Sequence, residues 1–407
     1  MKQFEVPEFY RSPIIGKVKA LRKAADPRKK DFSPTLLDFG TVDIVLPRHF
    51  GFCYGVENAI EIAYRALNEN EGKRIFLLSQ MIHNQAVNAD LVDRGVRFLM
   101  DTYGKVIIPF SELTPDDIVI VPAFGTTLEI EADLAAKGLE VQRYNTTCPF
   151  VEKVWNRSAK LGDDQYTVVI HGKPMHEETR ATFSHASSTG PALVVADHAE
   201  AEVLGSFISG ERDWNRFDDY FANRYSTGFV PERDLQRIGV VNQTTMLASD
   251  TQGIADYLRS VMVARYGVAS IADHFADTRD TLCYATNDNQ QATMALFDQP
   301  ADLAVVVGGY NSSNTSHLVE LCELHMPTVF IQSEDDLLNA QTLRSFNLHK
   351  GVVEELVDIL PQKNKPRIVV TSGASCPDSI VDRVIHKLVG YYKSEVSAEA
   401  VLQGLNG

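Results

Sequence analysis

Short apolar runs alternate with amphipathic stretches along most of the chain. Runs rich in Val, Ile and Leu at 43–46, 74–78, 118–121, 167–170, 193–195, 238–241, 303–307, 328–331 and 368–371 predict buried strands. Between them, apolar positions recur every three to four residues over 57–67, 150–161, 250–264 and 377–389, which predicts helices with one apolar face. Such alternation implies parallel sheets covered by helices on both sides, an α/β fold. In these sheets ligands collect at the carboxyl ends of the strands. Residues 205–234 break the rhythm: they are rich in Phe, Tyr, Trp, Arg and Asp and have no clear period. So aromatic a stretch predicts a structured insertion near 205–235 rather than a linker.

The strand ends carry the candidate chemistry. Cys53, Cys148 and Cys283 lie in different thirds of the chain, each where a strand is predicted to run into a helix. Such separations exclude a local metal clip but suit three thiolates converging on one iron–sulfur cube. A cube held by three cysteines leaves one iron open to bind substrate and pass electrons. Cys322 falls on the inner side of a helical pattern and reads as core. Cys376 adjoins a polar loop, where a small buried residue is the first reading and a fourth ligand the second.

Three junctions hold small polar residues: Asn311-Ser312-Ser313-Asn314-Thr315, Ser372-Gly373-Ala374-Ser375 and Gln243-Thr244-Thr245. Hydroxyls and amides at helix N-termini complete an anion cradle. N-capping alone explains such residues at most helix starts; three junctions together favour a phosphate site. There is no Gly-x-x-x-x-Gly-Lys-Ser/Thr, and Gly308-Gly309 does not extend to Gly-x-Gly-x-x-Gly, so a small phosphorylated substrate fits better than ATP or NAD. His83 and His176 are candidate donors to that phosphate. In His176-Glu177-Glu178-Thr179 a carboxyl is placed to hold and deliver a proton. The alternative is a charged first helical turn, and Glu177 is read that way, as solvated. His171 is read as bonded to backbone.

Composition changes this picture little. A net charge of −15 argues against a general nucleic-acid binder. Five unclustered cysteines fit a reducing cytoplasm rather than a secreted disulfide framework, and no apolar run is long enough to span a membrane. The first 42 residues, moderately basic but with interspersed acids, are read as a solvated arm lying on the domain, without the marks of a leader.

Taken in order, the motifs Gly51-Phe52-Cys53-x-Gly-Val, Ile82-His83-Asn84, Thr147-Cys148-Pro149, His171-Gly172-Lys173 through His176-Glu177-Glu178-Thr179, Gln243-Thr244-Thr245, Asn311-Ser312-Ser313-Asn314 and Ser372-Gly373-Ala374-Ser375 resemble the 4-hydroxy-3-methylbut-2-enyl diphosphate reductases, in the longer branch of cyanobacteria and plants. The resemblance runs from about residue 43 to about 387. It implies three α/β units with mainly parallel sheets in a pseudo-threefold trefoil around a [4Fe-4S] cluster. The expected boundaries are an arm over 1–42, units over 43–147, 148–279 and 280–392, and a tail over 393–407. Cys53, Cys148 and Cys283 would be the iron ligands. His83, His176, Ser312, Ser313, Asn314 and Ser375 would hold the diphosphate. Glu178 would deliver the proton and Thr244 would sit near the substrate hydroxyl. The implied reaction takes two electrons from reduced ferredoxin or flavodoxin and removes the hydroxyl as water, giving isopentenyl and dimethylallyl diphosphate, the last step of the non-mevalonate pathway. Two departures stand out: Phe124 where many members have His, and Asn145 where many have Asp. The rivals are a quinolinate-synthase-like dehydratase, which would lack the serine-rich loops, and an iron–sulfur sensor, which would need no diphosphate cradle.

Overall fold

The computed structural model describes residues 4–276, 278, 281 and 283–405. The expected boundary between residues 279 and 280 lies outside the described residues. Two compact units emerge. One gathers the residues up to Glu57, His83–Ala89 and those from Tyr284 onward; the other contains Asn58–Ile82 and Asp90–Cys283.

The first unit is built on a five-stranded sheet. Its order is Thr35–Asp38, Asp43–Leu46, Arg367–Ser372, Leu303–Val307, Thr328–Ile331. The first pair is antiparallel and the remaining neighbours are parallel. Alternate residues feed two cores: Leu303, Val305, Val307, Ile368 and Val370 enter one, and Ala304, Val306 and Val369 the other. With both faces covered, these strands lose the in–out polarity of an exposed sheet and read as continuous apolar runs. Asp43–Leu46, placed by chain order at the start of a separate unit, pairs here with the strand Arg367–Ser372.

The expected solvated arm is instead part of this unit. Ser12 caps the helix Pro13–Ala25, its Oγ accepting from Ile15 N at 3.0 Å, and Pro13 takes the first helical position. Ile15 and Val18, three apart on the helix, are buried in the core, and Thr35–Asp38 forms the sheet edge. The basic residues of the segment face outward and had masked this apolar stripe.

The second unit holds two parallel sheets. One has the order Arg97–Phe98, Ile75–Leu77, Ile118–Ile120; the other Ala192–Val195, Thr167–His171, Ile238–Asn242, Phe275–Ala276. Helices Pro149–Asp163, Glu177–Ser187, His198–Ile208 and Ala248–Tyr266 accompany the second. The 205–235 segment folds as short helical turns around Phe207, Phe217, Phe221 and Phe229. Among the described residues no helix is long and apolar enough to cross a membrane.

Candidate active site

In the first unit the polar strand ends form a cradle. The strand Leu303–Val307 runs through Gly308-Gly309 into the helix Ser313–Glu323. Ser312 caps that helix, its Oγ accepting from Thr315 N at 3.3 Å and from Thr315 Oγ1 at 2.9 Å. The neighbouring strand ends in Gly373-Ala374-Ser375. There Ala374 N donates to Asn314 Oδ1 at 2.8 Å, and Ser375 Oγ donates to the His83 carbonyl at 3.2 Å. Asn314 Nδ2 is buried without a hydrogen-bond partner in the protein. A buried amide donor left unmatched costs about 1–3 kcal/mol unless a ligand takes it. The glycines make the approach possible: a Cβ on Gly309 would strike the His83 carbonyl, and one on Gly373 would strike Thr315 Oγ1. The same loop reaches the first cysteine, because Cys53 N donates to Ala374 O at 3.2 Å. One peptide, Ala374, thus ties Cys53 to Asn314, beside Ser375 and His83.

The second unit holds a buried carboxyl, Glu178, behind a capping histidine. His176 caps the helix Glu177–Ser187, its Nδ1 accepting from Glu178 N at 3.2 Å. Phe124 packs edge-on to the His176 ring at 5.5 Å, so the Phe that departs from the family pattern braces an imidazole rather than supplying one. Glu178 is 1% exposed. Thr244 Oγ1 donates to one of its oxygens at 2.9 Å and Thr244 N to the other. Burial pushes the Glu178 carboxyl up to about 7, with the two Thr244 bonds opposing. Gln243, not singled out as a site residue, organises the loop: its Oε1 accepts from Lys173 N at 3.1 Å and Thr179 Oγ1 at 3.0 Å. Its position beside Thr244 was the available signal.

Two expectations about side chains are corrected. Glu177 is buried and accepts from Ser79 Oγ; it is not a solvated first-turn residue. Its helix position alone hid this, because the partner comes from a distant loop. Glu177→Ala, which strands the Ser79 hydroxyl, should lower stability by about 1–3 kcal/mol, read as a shift in denaturant midpoint. His171 Nδ1 meets Thr251 Oγ1 at 2.8 Å, a side chain rather than backbone.

The cysteines divide into two kinds. Cys53 and Cys283 immediately precede the helices Tyr54–Glu69 and Tyr284–Met294, and Cys148 caps Pro149–Asp163. A turn at Val141–Tyr144, not a strand, leads into Cys148. A helix N-terminus favours the thiolate, the form that binds iron. Thr281 Oγ1 anchors the Cys283 approach by donating to Asn242 Oδ1 at 2.8 Å, at the end of the strand that leads to Thr244. Cys322 and Cys376 are core residues. Burial pushes the Cys322 thiol up to about 12 and the Cys376 thiol well above its ordinary range, so neither is suited to ligation. Among the described residues no three His, Cys, Asp or Glu side chains close on a single metal ion.

A family model described as LytB protein matches residues 44–389. A 4-hydroxy-3-methylbut-2-enyl diphosphate reductase of Synechococcus sp. (strain RCC307) is 42% identical over 86% of this chain and 84% of its own length. One of Prochlorococcus marinus (strain MIT 9515) is 38% identical over 95% and 94%. The fold resembles that of the Plasmodium falciparum E-1-hydroxy-2-methyl-but-2-enyl-4-diphosphate reductase, with a TM-score of 0.61, 22% identity, and coverage of 84% of this chain and 86% of that one.

Proposed function

The chain belongs to the LytB protein family, and from that premise we propose that it reduces 4-hydroxy-3-methylbut-2-enyl diphosphate to isopentenyl and dimethylallyl diphosphate, the last step of the non-mevalonate pathway. It is an oxidoreductase. The observation that carries the mechanism is the buried Glu178, held by Thr244 and able to keep a proton near neutral pH. Cys53, Cys148 and Cys283 would hold a [4Fe-4S] cluster. When bound, that group would relay the carrier's electrons to the substrate and offer an open iron as a Lewis acid.

The chain's own residues do the rest. Hydroxide is a poor leaving group, so an acid must protonate the departing oxygen; Glu178 supplies that proton and Thr244 fixes the direction of its carboxyl. The balance per turnover is two electrons and two protons in, one C–O bond broken, one C–H bond formed and one water out. Ser312, Ser313, Asn314, Ser375, His83 and His176 anchor the diphosphate, with the orphan Asn314 amide as its most exacting donor. Phe124 fixes the His176 ring by contact with its edge. Reduced ferredoxin or flavodoxin supplies the electrons, in a reducing cytoplasm where thiolates persist.

Anaerobic incubation with the allylic diphosphate and a chemical reductant should yield both products. A protein that binds iron and sulfide but makes neither would be a sensor, and the reductase assignment would fall. Ser375→Ala should raise the substrate Kd roughly ten- to hundredfold, as expected for losing one hydrogen bond to a charged group, with the cluster spectrum unchanged. Unaltered affinity would remove Ser375 from the cradle.

A further inference from the structure

We propose that the basic outer face of the N-terminal segment is the docking surface for an acidic, one-electron carrier protein, an inference that rests on the reductase assignment above. Residues 13–30 hold Lys17, Lys19, Arg22, Lys23, Arg28, Lys29 and Lys30 against a single acid, Asp26, in a chain of net charge −15. An acidic carrier is repelled by most of such a surface, so a local basic field decides where it lands.

The charges are available. Lys17, Lys23, Arg28 and Lys30 are exposed, and among the described residues they form no ion pair. Elsewhere in the unit cations are matched, as in Lys365 with Asp38, Lys363 with Asp302 and Arg383 with Glu334. The field reaches inward: burial, then the charges of Arg48, Lys29 and Lys19, hold the His49 imidazole down at about 4. Asp26 offsets part of it.

The position is also right. The segment seats directly on the loop that carries Cys53. Lys19 Nζ lies 4.7 Å from the Phe50 ring centroid. The Phe4 ring meets Tyr54 at 4.8 Å and the Tyr10 ring meets Phe52 at 5.9 Å, both edge-on. The N-terminal residues thus pack on both neighbours of Cys53, Phe52 and Tyr54, which puts a carrier held by this segment on the same side of the unit as the Cys53 loop. Phe9, half exposed beside Tyr10, offers an apolar anchor within the charged rim. The apolar side of the helix, Ile15 and Val18, is buried in the core. With that side of the helix Pro13–Ala25 buried, the helix lacks the free apolar stripe that an interfacial membrane helix presents, which favours a protein partner over a lipid surface.

Each carrier gives one electron and is oxidised by one, so two must dock per turnover. The test is the triple variant Lys17→Glu, Lys23→Glu, Lys30→Glu, assayed with a reduced acidic [2Fe–2S] ferredoxin and, in parallel, with dithionite-reduced methyl viologen. The KM for ferredoxin should rise at least about tenfold, the low end of electrostatic steering, and its Kd by titration should rise with it. Dye-driven turnover should stay at the wild-type level, which also shows that the variant is folded. Wild-type KM for ferredoxin should increase with salt as screening shortens the field. An unchanged ferredoxin KM and Kd in the variant would overturn the docking surface while leaving the reductase intact. So would binding of the wild type, and not the variant, to phosphatidylserine vesicles with ferredoxin kinetics untouched. No dye-driven turnover in the wild type would overturn the reductase assignment, and the docking proposal with it.

Discussion

Glu178→Gln should bind the allylic diphosphate normally and turn it over about 10²–10⁴-fold more slowly, the usual weight of a positioned general acid. The amide keeps the shape of the side chain and the Thr244 Oγ1 contact at 2.9 Å, but has no acidic proton to give. Rapid-quench measurement of product formation separates this from a binding defect. Equal turnover in wild type and variant would reassign the proton source. The same group sets the pH response. The carboxyl sits at about 7 because burial penalises its charged form. Below that pH it is protonated and competent; above it the proton is lost and kcat/KM should fall about tenfold per pH unit. That basic limb should vanish in Glu178→Gln.

Cys53→Ser, Cys148→Ser and Cys283→Ser should each abolish the cluster absorbance and the activity together. A hydroxyl at a helix N-terminus is far harder to ionise than a thiol there, so the ligand is lost while the side chain keeps its size. Cys322→Ser should keep both, because that thiol lies in the core and burial opposes its ionisation. Cys376→Ala should keep them as well. Anaerobic iron and sulfide counts on the five variants check the whole assignment. Retention of the cluster in any of the first three, or its loss in Cys322→Ser, would contradict it.

The strands that a reader of the sequence finds first are those buried on both faces, such as Leu303–Val307, whose five residues are all apolar and all buried. Their burial leaves a continuous signal. Thr35–Asp38 sits at a sheet edge with alternate residues exposed, and four residues of alternation do not rise above chance. The hairpin Thr342–Asn347 and Val352–Val357 carries polar side chains at half-exposed positions and escaped for the same reason. At the site, Ser312 was legible as a helix start because such positions select small polar side chains, and it does cap Ser313–Glu323. The burial of Glu177 was not, because it depends on Ser79, which no local pattern connects to it. The orphan Asn314 amide was likewise invisible: the motif gives the residue, but only the fold leaves its nitrogen unmatched.

The pairing of Asp43–Leu46 with Arg367–Ser372 sets a schedule for biosynthesis. An early strand, paired at once with Thr35–Asp38, waits for Arg367–Ser372 before its other edge is filled. The loop at Cys53 waits too, since its backbone is fixed by Ala374. The described strand pairings of the second unit all lie within residues 75–276, so their partners emerge earlier. A chain terminated before residue 374 therefore lacks the partner that fixes the Cys53 loop.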